Sequence, residues 1–179
     1  MSQPYTPTLQ RPDAATPARG VTLIELMVGL AVLVVVMSVA APAMSEFSAN
    51  NQVVAAKSGF AAAVGLARTE AARRGRPVIV QALGSGDDAF ASGWEVVVDD
   101  NADGSAADSE PRVRRYAAPA PAVRISGNAS LVFRASGALQ GTSAEDYSVC
   151  RRSGSSQGYA ITVNPSGAAD VAATAECGS

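Results

Sequence analysis

Histidine is absent from all 179 residues. That absence removes Ser-His-Asp and Cys-His catalysis, and every histidine-bearing metal site. Lysine occurs once, at Lys57. Aromatic residues make up only 5% of the chain, with one tryptophan, so the core is modest in size. There are two cysteines and no C-x-x-C pair, which leaves no redox or zinc motif of that kind. The formal net charge is −2. Setting aside residues 1–20, with Arg11, Arg19 and Asp13, leaves 12 basic and 15 acidic residues, or −3. That balance argues against a general polyanion binder.

What the chain does have is one long apolar run. Residues 1–20 are polar, carry Pro4, Pro7, Pro12 and Pro17, and end in Arg19-Gly20. Residues 21–43 then read VTLIELMVGLAVLVVVMSVAAPA. As a helix this run is roughly 34 Å long, enough to cross a bilayer. Arg11 and Arg19 precede it and the next basic residue is Lys57. The positive-inside rule therefore places the N-terminus in the cytoplasm and the rest outside. A secretory signal puts its small-residue cut site after the apolar stretch. Here the small residue, Gly20, comes before it, so a cut there leaves the helix on the mature chain. Glu25 is the one acid within the run. A lone carboxylate in a membrane helix costs about 2.5–3.5 kcal/mol at mid-depth and usually marks function. A carboxylate reaching the headgroups near the helix start is the plainer alternative.

Beyond Pro42, which is expected to kink or loosen the helix, the apolar positions Val53, Ala56, Phe60, Ala63, Ala67 and Ala71 recur at helical spacing. Arg68, Arg73 and Arg74 suit a helix C-terminus, and Gly75 and Pro77 end it. After Pro77 the period becomes that of strands, with candidates at 77–83, 94–98, 112–117, 122–126, 130–134, 146–150 and 159–163. The expected fold class is α+β: a long N-terminal helix followed by mostly antiparallel strands, with the helix on a sheet face. The segments are 1–20, a leader; 21–43, a transmembrane helix; 44–75, the outer half of that helix; and 76–179, a β-rich domain.

Cys150 and Cys177 form an even count in a region placed outside the cytoplasm, and this reads as a disulfide, the alternative being two unpaired thiols. The tail 168–176 has only Val171 as a sizeable apolar anchor, so a covalent tie is the expected way to hold it. The stretch from Asp99 to Glu110 fits D-x-[DN]-x-[DN]-G-x5-E. Such a loop could offer Asp99, Asn101, Asp103, the Ser105 carbonyl and Glu110 to calcium, with Gly104 at the turn. The flanking helices of a calcium-binding hand are missing, and an acidic hairpin loop that binds nothing explains the same pattern. Apart from that calcium reading, no cofactor is expected. Arginines cluster at Arg73-Arg74-Arg76, Arg112-Arg114-Arg115 and Arg151-Arg152, which reads either as nucleic-acid contact or as solvated faces and subunit contacts. The carboxylate pairs Asp87-Asp88, Asp99-Asp100 and Glu145-Asp146 are the enzymatic alternative. Adjacent strand residues point to opposite faces, so such pairs read as acidic turns and no enzyme is expected.

The run Gly20-Val21-Thr22-Leu23-Ile24-Glu25-Leu26-Met27 resembles the class III signal of type IV pilins and type II secretion pseudopilins, with Val21 where the family usually has Phe. Gly93-Trp94-Glu95-Val96-Val97-Val98-Asp99, Phe133-Arg134-Ala135-Ser136-Gly137 and Val163-Asn164-Pro165-Ser166-Gly167 resemble later motifs of the GspH/FimT family, as does the junction Leu66–Val78. The resemblance implies a type IV pilin-like fold, cleavage by prepilin peptidase after Gly20, and N-methylation of Val21. It also implies that Glu25 pairs with the terminal amine of a neighbouring subunit during filament assembly. The implied function is that of a minor pseudopilin in type II secretion, with a FimT-like minor pilin of type IV pili as the alternative. The implied partners are other minor and major pilin-like subunits, the peptidase and the inner-membrane assembly platform. The implied location is the bacterial inner membrane, single-pass, with a periplasmic C-terminal domain. DNA-binding FimT-type relatives carry a basic G-R-x-R-like motif near the C-terminus. Here the matching stretch is Gly167-Ala168-Ala169-Asp170 and no Lys or Arg follows Arg152, so DNA binding is not expected.

Overall fold

A computed structural model describes residues 20–152, 158–174 and 177, without the side chains of Pro42 and Ala43. Of the leader assigned to residues 1–20, all but Gly20 lies outside the described residues. The chain divides into two units between Pro42 and Ala43, taken separately below.

One helix, α1, runs from Leu23 to Arg74. It remains helical through Pro42, which withdraws one amide donor without ending it. At its start Thr22 is the cap: its hydroxyl accepts the Glu25 amide at 3.3 Å. At its end Gly75 takes φ +64, a left-handed conformation that suits glycine, and its amide reaches the Ala71 carbonyl at 2.9 Å.

In the first unit every described residue from Gly20 to Ala41 is exposed. An 18-residue window within α1 has a mean hydropathy of 2.6 and no buried share. A helix apolar on all sides and buried on none has lipid or another helix as its natural surroundings.

In the second unit α1 buries the expected stripe. Val53, Ala56, Phe60, Ala63, Ala67 and Ala71 are all buried, joined by Val64. They pack on two antiparallel four-stranded sheets. The first contains β1 (Val78–Ala82), β2 (Trp94–Val98), β3 (Arg112–Tyr116) and β5 (Ser130–Phe133), in the order β3-β2-β1-β5. The second contains β4 (Val123–Ser126), β6 (Glu145–Arg151), β7 (Gly158–Val163) and β8 (Ala169–Thr174), in the order β4-β6-β7-β8. Phe60 of α1 ties the layers together. Its ring lies 4.7 Å from Tyr147 of β6, 5.9 Å from Trp94 of β2 and 5.3 Å from Phe90. Phe90 comes from a short 3-10 helix, Gly86–Ser92, that the strand-and-turn pattern did not indicate.

All seven expected strands form, within two residues of their expected ends. The eighth corrects the reading of the tail. Residues Ala169–Thr174 are not held by the disulfide alone; they pair with β7 at six positions, from Val163↔Ala169 to Gly158↔Thr174. The Asn164-Pro165-Ser166-Gly167 turn makes this possible. The Asn164 amide donates to the Ala168 carbonyl at 2.8 Å, and Gly167 sits at φ +80. A Cβ on Gly167 would overlap the Gly137 carbonyl oxygen, so the position needs glycine on both counts.

Candidate functional site

The first candidate site is the start of α1. Gly20, Val21 and Glu25 are exposed, and Gly20 has nothing within 4 Å of where a Cβ would sit. Glu25 stands at the third helical position, and it is its backbone amide, not its carboxylate, that donates to the Thr22 cap. Thr22 was not singled out among the expected site residues. Its signal was legible: Thr-x-x-Glu ahead of an apolar run is the capping-box pattern. The arrangement gives a helix that begins three residues after Gly20 and leaves one exposed carboxylate near its positive N-terminal end.

The second candidate is the loop from Asp99 to Glu110. Asp99 and Glu110 are buried at its base. Each spends both oxygens on main-chain amides. Asp99 accepts from Asp103 at 3.1 Å and from Gly104 at 2.9 Å. Glu110 accepts from Asp100 at 3.0 Å and from Ala107 at 2.9 Å. Asn101 and Asp103 bond to each other, and Asp103 also accepts the Ser105 amide at 2.8 Å. The five expected calcium ligands thus share one loop, but each carboxylate oxygen named has an internal partner. Among the described residues, no group of three or more acidic or Cys side chains is placed to hold a metal ion. Asp99→Ala orphans two amides inside a loop that Glu110 anchors from the other end. The expected loss is about 2 kcal/mol of stability, read by thermal or urea unfolding.

The arginine clusters are largely occupied by acids. Arg73 and Arg74 both bond Glu70 at 2.6 Å, and the two guanidiniums hold its carboxyl down to about 2. Arg76 pairs with Asp100, and Arg112 pairs with Glu95 and Asp108. Arg151 reaches Glu46 of α1 at 3.0 Å, and Arg152 reaches Asp88. Arg114 lies over the Tyr116 ring. Of these, the Arg151–Glu46 and Arg152–Asp88 pairs tie the end of β6 to α1 and to the 3-10 segment, while the Glu70 pairs stay within α1. The carboxylate pairs are divided in the same way. Asp99 turns into its loop while Asp100 meets Arg76, and Glu145 meets Asn128 while Asp146 meets Thr162.

Cys150 and Cys177 are joined, with their Cα atoms 5.7 Å apart. A Cβ on Gly158 would press on both sulfur atoms, so the glycine of β7 makes room for the bridge.

The model of the family described as type II transport protein GspH matches residues 57–167, more than half of the chain. That of the prokaryotic N-terminal methylation motif matches residues 16–41. Among solved structures, the type IV minor pilin FimU of Pseudomonas aeruginosa is similar at 22% identity and a TM-score of 0.61, over 74% of this chain and 99% of that one. The minor pseudopilin EpsH of the Vibrio cholerae type 2 secretion system is similar at 11% identity and a TM-score of 0.50, over 68% and 97%. No protein among those of curated function matches.

Proposed function

The chain belongs to the type II transport protein GspH family, and from that premise we propose that it is a membrane-anchored assembly subunit, cut after Gly20 and built into a filament through α1. As a GspH-type minor pseudopilin it acts in assembly with other pilin-like subunits. The finer reading is that prepilin peptidase removes the leader, that the new amine on Val21 is methylated, and that Glu25 recognises the amine of a neighbour. The inner-membrane assembly platform receives the processed chain, with the N-terminus cytoplasmic and the β domain periplasmic. The protein works by packing and not by catalysis.

The observation that carries this is the double character of α1. Its first part is apolar and exposed on every side, and its later part supplies the core stripe from Val53 to Ala71. One helix thus serves as both anchor and scaffold, and a cut before it preserves both. Gly20→Glu is expected to block processing, because a charged side chain cannot enter a site that fits a residue with none. Electrophoresis of membranes should show only the longer, leader-bearing form; normal processing of the variant would overturn the cut site.

The wider structural overlap with FimU favours a second reading, a minor pilin of type IV pili. A deletion strain separates the two. Secreted proteins retained in the cell support the secretion role, and lost surface pili with secretion intact support the pilus role. The proposal assigns no cofactor. Millimolar calcium that raises the melting temperature of the wild type, but not that of the Asp99→Ala, Glu110→Ala double variant, would place a cation in the loop.

A further inference from the structure

Each four-stranded sheet has two edges, and three of the four are guarded. β3 carries Arg112, Arg114 and Arg115, and its register against β2 shifts at Val96/Val97. Beyond β5 the chain doubles back: Leu139 bridges to Phe133, and the Gln140 amide donates to the Val132 carbonyl at 2.9 Å. β4 lies against the 3-10 helix, which the Asp88–Arg152 pair fastens down. Charges, bulges and covering segments are the usual means by which a sheet avoids pairing with another chain.

Among the described residues, the β8 edge has no bulge and no covering segment along Ala169–Ala173. It holds no Lys or Arg, and its one charge, Asp170, is bonded to Asn164. Residues Asp170–Ala173 are exposed, Val171 at 43%. Among the described residues, no main-chain hydrogen bond reaches Ala169–Ala173 from the side away from β7. An antiparallel edge strand turns alternate amides and carbonyls outward, so this edge offers a ready row of donors and acceptors.

A groove of about 460 Å³ runs beside it, where Asn50, Val53 and Val54 of α1 face Tyr159 of β7 and Ala173 of β8. Val54 also belongs to a second feature. With Met44 and Phe47 it forms an exposed apolar stripe on α1, spaced three and seven residues apart on one helix side. The stripe and the groove are therefore one continuous surface that ends at the β8 edge.

We propose that this surface docks the globular part of a neighbouring pilin-like subunit, which adds a strand to β8 and seats an apolar side chain between Val54 and Ala173. The proposal rests on the assembly role given above. Its occupant follows from continuity. In an assembly of subunits that each carry such a helix, the neighbour that covers Met44, Phe47 and Val54 already stands beside β8. Main-chain bonds along the edge supply attachment, and the groove selects which side chain fits.

Photo-crosslinking of the full chain in its native membrane, alongside its companion subunits, tests this. Benzoylphenylalanine replaces Val171, Phe47 or Arg114 in separate experiments. The expected result is a crosslink from positions 171 and 47 to another pilin-like subunit, and none from position 114. Adding Ala173→Lys, which puts a charge in the groove, should remove the crosslink at 171 and leave the one at 47. A crosslink at 47 with none at 171 overturns the edge proposal and leaves the assembly role standing. A product of twice the chain's own mass from position 171 overturns the choice of partner. Silence at both 171 and 47 overturns the assembly role itself.

Discussion

Replacing Glu25 with alanine is expected to leave the chain processed and in the membrane, yet missing from the assembled filament. The argument turns on two opposing costs. A carboxylate in the bilayer interior is penalised by about 2.5–3.5 kcal/mol, so removing it makes insertion easier. Failure of the variant to assemble therefore cannot be blamed on poor insertion. What alanine removes is a charge that gains a partner only when a neighbour presents a free amine. In a low-dielectric helix bundle such a pair attracts strongly, and each partner left alone is costly, so the pairing favours one axial register over others. Thr22 keeps its place as the helix cap in the variant, because its hydroxyl bonds the backbone amide of residue 25 and not the side chain. The helix start is thus preserved while the recognition group is lost. Pull-down with the other subunits reads the effect. Near-complete loss is expected, and normal recovery of the alanine variant would remove the pairing role.

The second large effect concerns the Cys150–Cys177 bridge. The two residues are 27 apart, a loop whose closure restrains the unfolded chain by about 3.5 kcal/mol in the chain-entropy model. For a domain of this size that is a fall of about 10 °C in melting temperature. Cys150→Ser and Cys177→Ser should give similar falls, since either one removes the same link. Neither should release the tail, because β8 keeps its six pairs with β7. Unequal falls, or hydrogen exchange in β8 as fast as in a free peptide, would show that the bridge does more than restrain the unfolded chain.

How far the sequence predicts this molecule depends on which force placed each part. The core stripe of α1 was legible because Val53, Ala56, Phe60 and Ala63 recur at the helical period, and burial enforces that period. β1 and β2 were legible because VIVQA and WEVVV are rich in β-branched residues between turn formers. β8 was not, because ADVAAT has little of that signal. It becomes a strand because the Asn164–Gly167 turn returns the chain alongside β7, a matter of pairing and not of propensity. The link from Arg151 to Glu46 spans 105 positions, and no local pattern announces it. The 3-10 helix was hidden for a related reason: Phe90 is buried by rings from α1, β2 and β6 that only the folded chain brings together.

The candidate sites divide along the same line. The signal for the start of α1 is local, a Thr-x-x-Glu cap ahead of an apolar run, although Thr22 was not singled out as its cap. The loop from Asp99 to Glu110 was legible as a pattern, but its internal hydrogen bonds were not. Closely spaced Asp and Asn side chains around a glycine can ligate a cation, and they can equally accept amides of their own turn. Here Asp99 takes the Asp103 and Gly104 amides. The arginine clusters looked like one feature in the sequence. In the fold they disperse among several acids: Arg73 and Arg74 share Glu70, Arg76 meets Asp100, Arg112 meets Glu95 and Asp108, and Arg151 and Arg152 meet Glu46 and Asp88.

The central claim is that the chain is cut immediately before its apolar helix and keeps that helix as its anchor. Intact-mass analysis of the protein taken from membranes tests this most directly. The expected species begins at Val21, carries one methyl group on its terminal amine, and lacks two hydrogens at Cys150 and Cys177. A filament-associated chain that still begins at Met1 or Ser2, or one that begins beyond the apolar run, would contradict it.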